Sequence, residues 1–113
     1  MLKSVSDLVS NVASRIEQIS MEQALKIENV LVVDVREPPE VAQRPINCST
    51  NIPRGVLEMK ITELTQDPST PICVHCASGD RAALAAEQLM RIGFTNVKAI
   101  SSGIDHISSV VGD

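Results

Sequence analysis

Apolar positions along this chain follow two rhythms. Near the N-terminus Val5, Leu8, Val9, Val12, Ile16 and Ile19 recur at helical spacing. Ser4 with Asp7 reads as a capping box, so the spacing predicts an amphipathic helix over 4–17. Ser20 and Gln23 repeat the device and start a short helix through Lys26. The rhythm then changes. Val30-Leu31-Val32-Val33-Asp34-Val35 is a continuous run rich in β-branched residues, as a strand buried on both faces should be. Pro38-Pro39 ends it, and a loop is expected to about Asn51, with Ile46 a candidate for a short strand. A helix over 56–64 follows, stopping near Asp67-Pro68.

Ile72-Cys73-Val74-His75 is a second short apolar run. Ser78-Gly79-Asp80 opens a strong helix, 81–92, rich in alanine and leucine and stopped by Gly93. Val97 to Ile100 is a third strand, and 103–111 a weaker closing helix. Strands alternating with helices at this spacing predict an α/β fold, a parallel sheet of about five strands with helices on both faces. The extra N-terminal helix, 1–17, is read as an addition to a domain over 18–113. In open parallel sheets, ligands sit beyond the carboxyl ends of the strands, so the residues after Val35 and His75 are the ones to inspect.

A length of 113 residues allows one domain. Phe94 is the one aromatic residue, which argues against base-stacking platforms and aromatic ligand cages and leaves an aliphatic core. The ten basic residues are scattered singly in a chain of net charge −4, so neither nucleic acid nor an anionic membrane is an expected partner. The N-terminal pattern is amphipathic, without a signal-peptide apolar run, and no stretch approaches the roughly 20 apolar residues that span a bilayer. Cys48, Cys73 and Cys76 are too few for a disulfide scaffold, and a reducing cytoplasm is the natural compartment for them.

The loop Cys76-Ala77-Ser78-Gly79-Asp80-Arg81 is where the sequence points to chemistry. A cysteine leaves a buried strand, a turn with a glycine follows, and a helix begins at once. That arrangement places a thiol where backbone N–H groups converge at the positive end of a helix dipole, which favours the thiolate. A free thiol near its ordinary pKa is only about 3% ionised at pH 7, so such a site multiplies the nucleophile. A working nucleophile here should also be open to solvent. Gly79 lets the backbone curl inward, and Arg81 is suited to neutralise an incoming oxyanion.

This loop resembles the active-site signature of the rhodanese family, cysteine-x-x-glycine-x-arginine, through Cys76, Gly79 and Arg81. Three further segments are similar to family elements in the same order: Val33-Asp34-Val35-Arg36-Glu37, Asn51-Ile52-Pro53-Arg54-Gly55, and Gly93-Phe94-Thr95-Asn96-Val97. The resemblance runs over roughly 18–105. It implies a single-domain sulfurtransferase in which Cys76 takes the outer sulfur of thiosulfate or another sulfane donor, holds it as a persulfide, and passes it to a thiophilic acceptor. Cyanide, a small thiol or a protein thiol would serve as that acceptor. The loop amides of 77–81 would cradle the persulfide, and no metal or organic cofactor is implied. Asp34 and Arg36 would buttress the site, and Arg54 lies in a loop expected to face it.

Other readings stand beside this one. Phosphatases and arsenate reductases on the same fold carry five residues between cysteine and arginine. Here four separate Cys76 from Arg81, a ring sized for one extra sulfur rather than a phosphoryl group. A non-catalytic persulfide carrier or binding module would share the loop without turnover, and the acidic Asp80, which repels an anionic donor, favours it. The simpler explanation of Asp80 is a carboxylate that stabilises the helix N-terminus while pointing to solvent. Cys73 and Cys76 formally make a C-x-x-C. An extended strand would set their Cα atoms about 10 Å apart on opposite faces, beyond the roughly 4.4–6.8 Å of a disulfide, so Cys73 reads as core. His75 reads as a packed strand histidine or a proton shuttle. Cys48 reads as an incidental loop thiol, a resolving thiol for Cys76, or, with His106, part of a zinc site.

Overall fold

The three apolar runs become the centre of a sheet in the computed structural model, which describes residues 1–112. They are β2 (Leu31–Asp34), β4 (Ile72–His75) and β5 (Val97–Ile100). All pairings are parallel, with Asp34 opposite His75 and Val74 opposite both Val33 and Ala99. Two-residue strands extend each edge, β1 (Gln18–Ile19) against β5 and β3 (Thr50–Asn51) against β2, giving the order β1-β5-β4-β2-β3.

Alternation along the strands divides the core in two. Val33, Val35, Ile72, Val74, Cys76, Val97 and Ala99 face one layer, built on α1 (Val5–Ala13), α4 (Leu57–Leu64) and α5 (Asp80–Ile92). Val32, Cys73 and Ile100 face the other, built on α2 (Met21–Leu25) and α6 (Ile104–Val111). With Phe94 the lone aromatic, close packing comes from small residues: Ala82, Ala83, Ala85 and Ala86 on α5 are all buried against the sheet. Val12 and the following Ile16 belong to this same core, and Arg15 pairs with Glu87 of α5 at 2.7 Å, so α1 is stitched to the sheet layer.

Several expectations need correction. α1 stops at Ala13 rather than 17, because the chain turns to add β1 to the sheet, where Ala99 N–H donates to the Glu17 carbonyl. The short strand before Asn51 is Thr50–Asn51 and not at Ile46, whose side chain is buried in the second core. The segment after Pro38-Pro39 is not all loop. It holds α3 (Pro38–Gln43), whose prolines occupy the first helical positions, where a missing N–H costs nothing. The predicted helix over 56–64 is α4 from Leu57, preceded by a 3-10 turn at Arg54–Val56. No helix among the described residues is long and apolar enough to cross a membrane.

Leu89, fully buried on α5, tests this packing. Leu89→Ala is expected to lower stability by about 2–5 kcal/mol. A fall in the urea midpoint at unchanged m-value is the expected result, and an unmoved midpoint would contradict the described core.

Candidate active site

Parallel pairing sends the carboxyl ends of all strands to one edge, and Cys76 leaves β4 there. Ala77, Ser78 and Gly79 form the turn before α5 starts at Asp80. Gly79 has φ +103°, a left-handed conformation that strains any residue with a Cβ, and this sets its N–H on the sulfur. Gly79 N–H donates to Cys76 Sγ at 3.0 Å, and Ala82 N–H donates to the same atom at 3.4 Å. Both donors belong to the N-terminal end of α5, where backbone N–H groups lack helical partners. The opposite side of the loop is pinned by Ile104 N–H donating to the Ala77 carbonyl at 2.9 Å. Gly103 lies where an added Cβ would sit 3.6 Å from that carbonyl. Ser78 and Asp80 are exposed. Cys76 is 0% exposed, against the expectation of an open thiol: its sulfur is turned inward onto the amides.

Arg81 is not free. Its two terminal nitrogens donate to the two carboxylate oxygens of Glu40 on α3, at 2.6 and 2.9 Å, and each side chain is about one-third exposed (36% and 37%). The Arg81 guanidinium beside Glu40 lowers that carboxyl from its ordinary 4.5 to about 2, helped by the Glu37 N–H. Hydrogen bonding to Glu40 in turn raises Arg81 further. Sequence reasoning missed Glu40. The local signal was its capping-box spacing to Glu37, but the partner lies on another element and nothing local announces it.

Asp34 and Arg36 form a buried pair at the end of β2, with Arg36 Nε 3.0 and 3.1 Å from the two Asp34 oxygens and Nη2 2.8 Å from Oδ2. Arg36 also donates to the Arg44 carbonyl at 2.7 Å and the Glu40 carbonyl at 3.4 Å, which fixes α3 beside the loop. Asn51 donates to the Asp34 and Arg36 carbonyls at 2.8 and 2.9 Å, tying in the neighbouring edge. Arg54 lies at this edge but donates to Glu58 at 3.0 Å, apart from the Arg81–Glu40 pair.

His75 is buried on the face opposite Cys76. Its Nε2 is 2.6 Å from Ser49 Oγ, while Nδ1 sits 3.9 Å from Asp34 Oδ1, beyond hydrogen-bond reach. Burial lowers the His75 pKa below the usual range, with Asp34 opposing and Arg36 reinforcing. It is a packed strand residue that anchors the Ser49 loop. Cys73 is buried in the second core, and burial raises its thiol to about 11. Cys48 is exposed on that loop, and His106 faces Glu22 at 2.9 Å.

The model of the rhodanese-like domain matches residues 18–109. The chain belongs to the rhodanese-like family. A sulfurtransferase of Allochromatium vinosum is 32% identical over 92 residues, covering 80% of this chain and 84% of that relative. The thiosulfate sulfurtransferase GlpE of Pseudomonas entomophila is 33% identical over 94 residues, covering 81% and 84%. Among solved structures, a Rhodopseudomonas palustris protein of unknown function, called a possible tyrosine phosphatase, superposes with a TM-score of 0.79 at 25% identity, covering 97% of this chain and 92% of that one. The five-stranded parallel sheet is thus the rhodanese fold, with α1 added before it.

Within this rhodanese-like frame the Glu40–Arg81 pair carries a pH signature. A carboxylate whose folded pKa lies below its unfolded value contributes stability that is fully present above 4.5 and is lost as pH falls through about 2. The pair is partly exposed, so the contribution is under about 1 kcal/mol. The difference in unfolding free energy between the wild type and Glu40→Ala is expected to be constant above pH 4.5 and to vanish towards pH 2 in urea titrations. A difference that persists at the acid end would assign the effect to the helix cap instead.

Proposed function

We propose that this chain is a sulfurtransferase that works through a persulfide on Cys76. The Cys76 thiolate attacks the outer sulfur of thiosulfate or of a persulfide donor; the donor's S–S bond breaks, and sulfite or the donor thiolate leaves. A thiophilic acceptor, a thiol, a protein thiol or cyanide, then attacks the outer sulfur and regenerates Cys76. The sulfur changes hands with its bonding pair accounted for at each step, and no metal or organic cofactor is required. The unit carrying the chemistry is 18–113, with α1 of the preceding segment packed on it, and three free thiols suit a reducing, cytoplasmic setting.

One observation carries this reading: two backbone N–H groups, of Gly79 and Ala82, converge on Cys76 Sγ. Donors aimed at sulfur stabilise the charge on the attacking thiolate and, once loaded, on its persulfide. Because Cys76 is buried at rest, the turn at 77–79 has to relax for the sulfur to meet its donor. Asp34, Arg36 and Asn51 hold the neighbouring strand ends and act as supports, and Arg81 is the side chain suited to an anion once Glu40 releases it.

The likeness to a possible tyrosine phosphatase gives a second reading. The loop disfavours it: four residues between Cys76 and Arg81, rather than five, make a ring sized for one extra sulfur rather than a phosphoryl group. A carrier without turnover would load but not cycle.

After thiosulfate or a hydropersulfide, intact-mass analysis is expected to show one added sulfur on Cys76, and cyanide to remove it over repeated cycles. Loading without cycling would make the domain a carrier, and hydrolysis of an aryl phosphate would favour the second reading. Cys76→Ser should fold normally and transfer nothing; transfer at the wild-type rate would refute the proposal. With the Arg81 fork freed in a Glu40→Gln background, adding Arg81→Ala is expected to raise the KM for thiosulfate about tenfold while changing kcat by less than about threefold. An unchanged KM would remove Arg81 from the anion site.

A further inference from the structure

Four arginines reach the edge that holds Cys76, and each already has a carboxylate: Arg36 with Asp34, Arg54 with Glu58, Arg44 with Asp105, and Arg81 with Glu40. Arg81 matters most, because it opens the helix whose amides hold the sulfur, and Cys76 lies within its electrostatic reach. Its fork is filled by the two oxygens of Glu40, so an incoming anion has to displace two charge-assisted hydrogen bonds at once. Glu37 acts on the same guanidinium.

The donors differ in the charge they bring. Attack of a thiolate on thiosulfate gathers three negative charges and expels sulfite as a dianion. Attack on a hydropersulfide with an uncharged carrier gathers one: the outer S–H sulfur joins Cys76 as Cys–S–S–H, and the carrier leaves as its thiolate.

We propose that Glu40 determines donor specificity: by occupying the Arg81 fork it withholds the anion subsite from dianionic donors and leaves the site to persulfides or polysulfides whose carrier bears little charge. This rests on the sulfur-transfer reading. Glu40 touches no reacting atom in this scheme and acts through Arg81.

Glu40→Gln tests it, because glutamine keeps an oxygen for the Glu37 N–H that Glu40 now accepts at 2.9 Å. Loading of Cys76 is followed by intact mass with thiosulfate and with the hydropersulfide of 2-mercaptoethanol. The variant is expected to raise kcat/KM for thiosulfate about tenfold, the factor that 1.4 kcal/mol carries, and to leave the hydropersulfide within about twofold. Equal changes with both donors, or none with either, overturn the proposal. A second readout needs no sulfur transfer: alkylation of Cys76 by anionic iodoacetate against neutral iodoacetamide, resolved by peptide mass. The iodoacetate-to-iodoacetamide rate ratio at Cys76 should rise about tenfold in Glu40→Gln, and in Glu40→Ala should a folding check disqualify the first variant. If neither donor loads Cys76, sulfur transfer fails as a reading, and the alkylation ratio alone decides whether Glu40 closes the site to anions. An unchanged ratio overturns that as well.

Discussion

The arrangement at the carboxyl edge turns on two N–H groups donating to one sulfur. Gly79 and Ala82 bring two backbone donors onto Cys76 Sγ from a helix end whose N–H groups have no helical partner. The geometry has demands that reach far into the chain. Gly79 takes a φ of +103°, β4 has to end at His75, and α5 has to begin within a few residues. Four small buried alanines let α5 sit close to the sheet, which brings its N-terminus down to the level of the sulfur. The site is therefore a consequence of how one helix packs on one strand, and the rest of the fold holds those two in register.

A chain of charge contacts completes the edge. The buried Asp34–Arg36 pair costs desolvation, and its worth lies in where it puts other groups rather than in net stability. Arg36 spends its remaining donors on the carbonyls of Glu40 and Arg44, at the two ends of α3's second half. Thus located, α3 presents the Glu40 carboxylate to Arg81, the second residue of α5. Strand end, helix and the loop of Cys76 are linked through alternating charges, each link satisfying a group the previous one left open. Removing Asp34 would do more than strand a buried cation, because α3 and the state of Arg81 hang from the same pair.

What the sequence showed follows from how local the physics is. β2, β4 and β5 were legible because strands covered on both faces leave unbroken apolar runs. β1 and β3 are two residues long, too short for any period, and exist because longer neighbours offer them hydrogen bonds. α3 was read as loop because Pro38-Pro39 looks like a stop, although the first helical turn tolerates proline. Cys76, Gly79 and Arg81 stand within six residues and announce themselves together. Glu40 does not: it meets Arg81 across 41 positions, through a tertiary contact that no spacing encodes. The inward turn of Cys76 was hidden for the same reason, since burial is set by neighbours and not by the loop's own letters.

Cys73 and Cys76 make the point about reactivity within a single strand and its exit. Both are buried, at 1% and 0% exposure, so accessibility alone does not separate them. Cys73 points into the layer of α2 and α6 among Val32, Ile100 and Ile107, where desolvation raises its thiol to about 11 and keeps it protonated. Cys76 points to the other layer and meets two backbone donors at the start of a helix. Three residues along one strand reverse the facing, and that reversal brings the second sulfur to the start of α5, where two backbone N–H groups meet it. The chemistry assigned to one cysteine and denied to the other thus comes from the parity of a β-strand, expressed through what each face packs against.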